Sequence, residues 1–246
     1  LTLDPAADAV TGDLALSGTA PGRTSVRLVV DGDLDAAQTV AVGRDGRWRA
    51  SVATDNMIDR EIVHRVLAWD PTTATASDAH AFKVARAWSR VAAADDPIGD
   101  DTGPSGRYVY PDDTGWRTSH PGDLLGANVD ASGGALRLTL KLRGIVTDWN
   151  PPNGFDHVTF SVFFELPGRD DGATAMPQQN ATLPDGMRWH LRLRAHGWSN
   201  ALFDAQGASA TADGTVVAFA PRISVDRTAN TVTFTLPARA LGDSDL

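Results

Sequence analysis

The 246-residue chain contains no cysteine, which excludes a disulfide scaffold, a thiolate metal site and a cysteine nucleophile. Of its 22 basic residues only Lys83 and Lys141 are lysine, and of its 31 acidic residues only Glu61 and Glu165 are glutamate. The net charge of −9 argues against nucleic-acid binding, which needs basic surface to meet phosphates. No stretch approaches the roughly 18 consecutive apolar residues of a membrane-spanning segment. The first residues, LTLDPAADAV, lack the charged and apolar regions of a signal peptide. The expectation is an export signal already removed, or a piece of a longer protein. No segment keeps a helical apolar stripe over about eleven residues. A GxSxG elbow and a phosphate-cradling glycine loop with lysine are both missing.

What is abundant is turn chemistry. Aspartate, 23 glycines and 14 prolines favour short strands joined by turns. Segments 25–30, 38–42, 47–52, 62–69 and 80–84 are β-rich runs separated by turn material. Beyond them, residues 135–142 (ALRLTLKL) alternate, with Leu136, Leu138, Leu140 and Leu142 on one face. Segments 157–166, 188–195, 215–219 and 231–236 extend the pattern. These runs predict an all-β chain of two β-sandwich domains, 1–86 and 95–246, joined by a linker at 87–94.

Residues 95–106 (DDPIGDDTGPSG) place Asp95, Asp96, Asp100 and Asp101 on a glycine-rich loop, with Asp123 able to approach from HPGD. Hard cations such as Ca²⁺ take six to eight oxygen ligands, and this loop offers several. Spacing alone leaves two readings open, a cation site and a solvated acidic linker. The D-x-D-x-D run at 31–35 is a polar hairpin loop, because position six is Ala36 and position twelve is Val42. Asp148 and Asp156 flank an aromatic-rich turn, as a pair of glycosidase carboxylates would, but many aspartates flank turns here. His190 and His196 share a strand face only if that strand runs through both. Trp149, Trp198 and Trp116 fall in apparent loops, where an indole face suits the apolar face of a sugar ring. Asn153 is a nearby candidate to bind sugar hydroxyls. Trp48 and Trp69 fall in strands and are expected in the core.

Residues 96–111 (DPIGDDTGPSGRYVYP) resemble the opening of the C-terminal module of glucodextranases and related amylase–pullulanase enzymes. The likeness continues through 149–168 (WNPPNGFDHVTFSVFFELPG) to ALGD at 240–243. This resemblance implies a DOMON-like, jelly-roll-type sandwich akin to family-nine carbohydrate-binding modules, in which family members usually continue past the ALGD-like segment into at least one more strand. The first domain, with LSGTAPG (16–22), VRLVVDG and DGRW (45–48), resembles bacterial immunoglobulin-like spacers. The resemblance implies a structural calcium ion with candidates Asp96, Asp100, Asp101 and Asp123. It also implies a non-catalytic accessory region of a secreted bacterial α-glucan-active glycoside hydrolase, located outside the cell, in the periplasm or on the cell surface. Its expected partners are an α-glucan or other polysaccharide and the catalytic domain of the parent enzyme. The alternative is a cell-envelope anchor or bracing module without sugar affinity.

Overall fold

The computed structural model describes residues 1–54, 57, 62–103, 105–132 and 134–241. The end of the glucodextranase-like segment, at 242–243, lies outside the described residues. The chain forms two compact units, Leu1–Ala87 and Trp88–Leu246. Both are built from strands. One π-helical turn at Thr114–Thr118 and one 3-10 turn at Ala238–Ala240 are the helical segments among the described residues. None of the described helices is long and apolar enough to cross a membrane.

The first unit is a sandwich of two sheets. Thr2–Leu3, Leu14–Thr19 and Arg47–Val52 form one. Ala9–Val10, His80–Val84, His64–Asp70, Ser25–Val30 and Asp33–Ala41 run side by side in the other. Alternation explains the core. Leu14, Leu16 and Trp48 meet Val26, Leu28, Val66 and Phe82 between the sheets. Gly18 has a packing reason: a Cβ there would overlap the Thr2 carbonyl oxygen and the Trp48 indole. Trp48 is buried, as expected. Trp69 is not a core residue. It is half-buried on the opposite face of its strand, and the Arg27 guanidinium lies 5.7 Å from its ring centroid.

The second unit packs a five-stranded antiparallel sheet against a four-stranded one. The first runs in the order Ser89–Asp95, Leu124–Ser132, Ala135–Leu142, Thr231–Leu236 and Arg222–Asp226. The second runs Thr159–Phe164, Leu191–His196, Ser199–Asp204 and Thr215–Val216. Leu136, Leu138, Leu140, Val232, Phe234 and Leu236 face Leu191, Leu193, Ala195 and Leu202 across the core. The leucine alternation of 135–142 is thus the inner face of a central strand.

The supposed linker is a correction. Ser89–Asp95 is an edge strand, hydrogen-bonded to Leu124–Ser132 from Ser89↔Ala131 to Asp95↔Gly126. Its seven residues are all exposed, so the strand carries no hydrophobic alternation to reveal it. Ladder hydrogen bonds and polar pairing hold it instead. Arg90 Nε donates to Asp130 Oδ1 at 2.7 Å, and Arg137 reaches the other oxygen of Asp130 from the next strand. Leu124–Ser132, Ser199–Asp204 and Arg222–Asp226 are further strands that composition did not single out.

Candidate functional site

The connection from the leucine strand to Thr159–Phe164 carries Trp149, and the turn between Leu191–His196 and Ser199–Asp204 carries Trp198. Phe155 anchors the first of these segments: it is buried and packs edge-on against Phe160 at 5.2 Å. The buried Asp156 carboxylate accepts from the Trp149 backbone N–H (2.8 Å) and from His157 Nδ1 (2.5 Å), so one side chain holds the Trp149 backbone and the His157 ring. Gly197 lets the two segments meet, because a Cβ there would lie 2.5 Å from the Phe155 carbonyl oxygen. Asn153 ties them together: its N–H donates to the Gly197 carbonyl (3.0 Å) and its side-chain amide to the His196 carbonyl (2.7 Å). Asn153 was expected to meet sugar hydroxyls. Its amide instead holds the two loops in register.

The result is a row of rings. Tyr110 stacks on Trp116, Trp116 lies against His157, His157 stacks on Trp149 at 4.2 Å and 16°, and Trp149 stacks on Trp198 at 6.2 Å and 29°. Trp149 is 58% exposed and Trp198 50%, whereas Trp116 is half-buried within the row. A sugar ring held between two indoles needs about 7–8 Å, two carbon contacts of about 3.5–4.0 Å each. At 6.2 Å the pair cannot clamp a ring between its members; what it offers is a platform of exposed indole surface.

The acidic loop resolves differently from the spacing. Asp101 and Asp123 come together, and the third member of their group is His120, with ligand atoms all within 4.8 Å of one another. His120 Nδ1 donates to Asp101 Oδ2 at 2.8 Å, and Tyr110 also hydrogen-bonds this carboxylate. Burial opposes charge on Asp101, but the hydrogen bonds from His120 and Tyr110 outweigh it and hold the carboxyl below its ordinary value. Burial and the neighbouring Asp101 push the Tyr110 phenol up. Asp123 is fully buried. Its Oδ2 accepts from Gly99 N–H (2.9 Å) and Arg143 Nη1 (3.3 Å), while Oδ1 has no hydrogen-bond partner among the described residues. Asp96 and Asp100 do not join this group. Both are exposed, on the rim of a cleft that Tyr108, Tyr110 and Trp116 also line. His120 was missed because its partnership with Asp101 spans 19 residues; the nearest signal was its place three residues before Asp123 in HPGD.

Asp148 and Asp156 are not a hydrolytic pair. Asp156 is 1% exposed and both its oxygens are engaged, leaving no acid or base to present. His190 and His196 part company too. His190 lies just before its strand, fully buried, and its Nδ1 accepts from Leu166 N–H (2.8 Å). His196 reaches Ser199 Oγ at 2.7 Å on the surface.

No curated protein sequence matches the chain. One family profile does match, over residues 91–246, and its description is the C-terminal binding-module, SLH-like, of glucodextranase. That span takes in the Asp101–Asp123 cluster, the ring row and both sheets, apart from the first residues of the edge strand. With well over half of its length matched, the chain belongs to the family of SLH-like C-terminal binding modules of glucodextranase.

Proposed function

We propose that the chain is a non-catalytic accessory region of a secreted bacterial glycoside hydrolase acting on α-glucans, and that it binds polysaccharide through Trp149 and Trp198. One observation carries this reading: two large indoles stand half or more exposed, side by side, on loops fixed by Asp156, Asn153 and Phe155. Exposed aromatic surface of this kind is costly to leave in water without a ligand to cover it. Leu1–Ala87 serves as an immunoglobulin-like spacer. Holding polymer close raises its effective concentration at a tethered catalytic domain without touching the chemistry.

Calcium belongs to the same reading. Asp123 Oδ1, buried without a partner among the described residues, and the Asp101 carboxylate are the oxygens that would hold the ion, with loop carbonyls and water completing the shell. His120 then orients Asp101 rather than ligating, since a hard cation prefers oxygen. The ion's contribution is to tie the 96–103 loop to the segment before the strand Leu124–Ser132.

The test is affinity electrophoresis of the chain, with calcium, in gels containing dextran, pullulan or soluble starch. Retardation in one gel supports the reading and names the glucan. Equal mobility in all three refutes binding to these soluble α-glucans. The description SLH-like favours a second reading, attachment to the cell envelope. It predicts co-sedimentation with insoluble wall polysaccharide in place of retardation by soluble glucan.

A further inference from the structure

We propose that Asp113, Asp148 and His157 form a site for a borderline divalent transition-metal ion, with Zn²⁺ as its representative, apart from the Asp101–Asp123 cluster. One ligand atom from each of the three residues lies within 4.8 Å of the others. His157 supplies the observation that acidic clustering alone would not. Its side chain is 2% exposed, and a carboxylate can only accept, so its hydrogen bond to Asp156 Oδ1 assigns the proton to Nδ1. In its neutral form the imidazole carries its lone pair on Nε2, for which no hydrogen bond exists among the described residues. The nearest acidic oxygen is Asp113 Oδ1 at 4.0 Å. A histidine whose second nitrogen is held by a buried carboxylate is the arrangement that orients and strengthens an imidazole as a metal ligand.

The space at Nε2 is kept open by the backbone. Gly115 lies in the π-helical turn, and a Cβ on it would sit 2.5 Å from His157 Nε2 and 2.8 Å from Asp148 Oδ2. Asp113 caps the same turn, accepting Gly115 N–H on Oδ1 at 2.9 Å, and the second lone pair of that oxygen stays open to a cation. Asp113 is 61% exposed, so its carboxylate has room to close the 4.0 Å gap toward the shorter separation of two ligands on one ion. One imidazole nitrogen and two carboxylates suit Zn²⁺ and its first-row neighbours better than Ca²⁺, which takes oxygen alone. Three protein ligands leave a fourth position for water. Trp149 lies flat on the His157 ring, so an ion here would stiffen the platform from beneath.

The site is tested without sugar, so its failure would not touch the polysaccharide reading. Metal-stripped protein is titrated with Zn²⁺ by calorimetry, and with Co²⁺ by visible absorption and tryptophan fluorescence. The expected result is one equivalent of either ion, with quenching of tryptophan emission by Co²⁺. Binding should weaken about tenfold or more in Asp148→Asn and Asp113→Asn, both exposed substitutions, and in Gly115→Ala. His157→Gln should abolish it, with circular dichroism confirming the fold. Absence of uptake by the native chain overturns the proposal. So does uptake that survives in Asp148→Asn and Asp113→Asn, or that disappears only in Asp123→Asn.

Discussion

Removing the Trp198 indole should weaken polysaccharide binding by a factor that follows from its exposure. A tryptophan side chain presents about 250 Å² of surface, and Trp198 shows half of its own to solvent. A sugar ring on its free face would cover roughly half of what is exposed, about 60–70 Å². At about 25 cal/mol per Å² this is about 1.6 kcal/mol, or about fifteenfold in Kd. The loss should fall on binding, because Trp198 is half exposed, meets the rings of Trp149 and His196, and sits on a turn whose backbone is held by Asn153. The assay is the glucan concentration that halves mobility in the retarding gel, measured for the native chain and Trp198→Ala side by side, with thermal unfolding as control. A change of less than about twofold at unaltered melting temperature would refute the platform as the binding surface.

Removing calcium with a chelator should lower the melting temperature of the chain, and Asp123→Asn should remove that sensitivity; an unchanged melt after full metal removal would sink the calcium assignment. Gly18→Ala should destabilise the first unit by about 1–3 kcal/mol, the cost of forcing a methyl against Trp48 and the Thr2 carbonyl, measured by urea unfolding. Leu193→Ala, at a fully buried position between the two sheets of the second unit, should cost about 2–5 kcal/mol in the same assay. Acid should unfold the protein through depressed carboxyls. Hydrogen bonds from Thr73 and Arg23 lower Asp70, and against burial, His120 and Tyr110 lower Asp101 while Arg90 and Arg137 lower Asp130. The unfolded chain therefore takes up protons first as pH falls. The contribution is complete above the ordinary carboxylate value of about 3.9 and is lost as pH drops through the lower folded values. Calorimetry from pH 6 down to about 2.5 should show a steep fall in melting temperature only below about pH 4.

Elements with a buried face and a period of two were legible along the chain. Leu136, Leu138, Leu140 and Leu142 announced a strand because their spacing must put them on one side. Ser89–Asp95 gave no such signal: an edge strand exposed on every residue has no apolar alternation, and its ladder pairing and the Arg90–Asp130 contact have no signature in the local pattern. Trp69 misled for a related reason, since a strand position does not say which face meets the core. The site divides in the same way. That Trp149 and Trp198 lie on loops was evident from the turn residues around them. That they stack on each other depends on Asn153 and Gly197 joining two connections more than 40 residues apart.

Composition and local pattern by themselves determined that this chain is all-β, rich in turns, without thiol chemistry and net acidic. They also placed the aspartates and indoles that a binding module would use. Only the tertiary structure decided which of them meet. It set Asp101 and Asp123 beside His120 and left Asp96 and Asp100 at the rim. It turned Asn153 into a brace, closed Asp156 to catalysis and brought His157 to Asp113 and Asp148. These contacts join residues far apart in the chain, and local propensity acts only over neighbours along it.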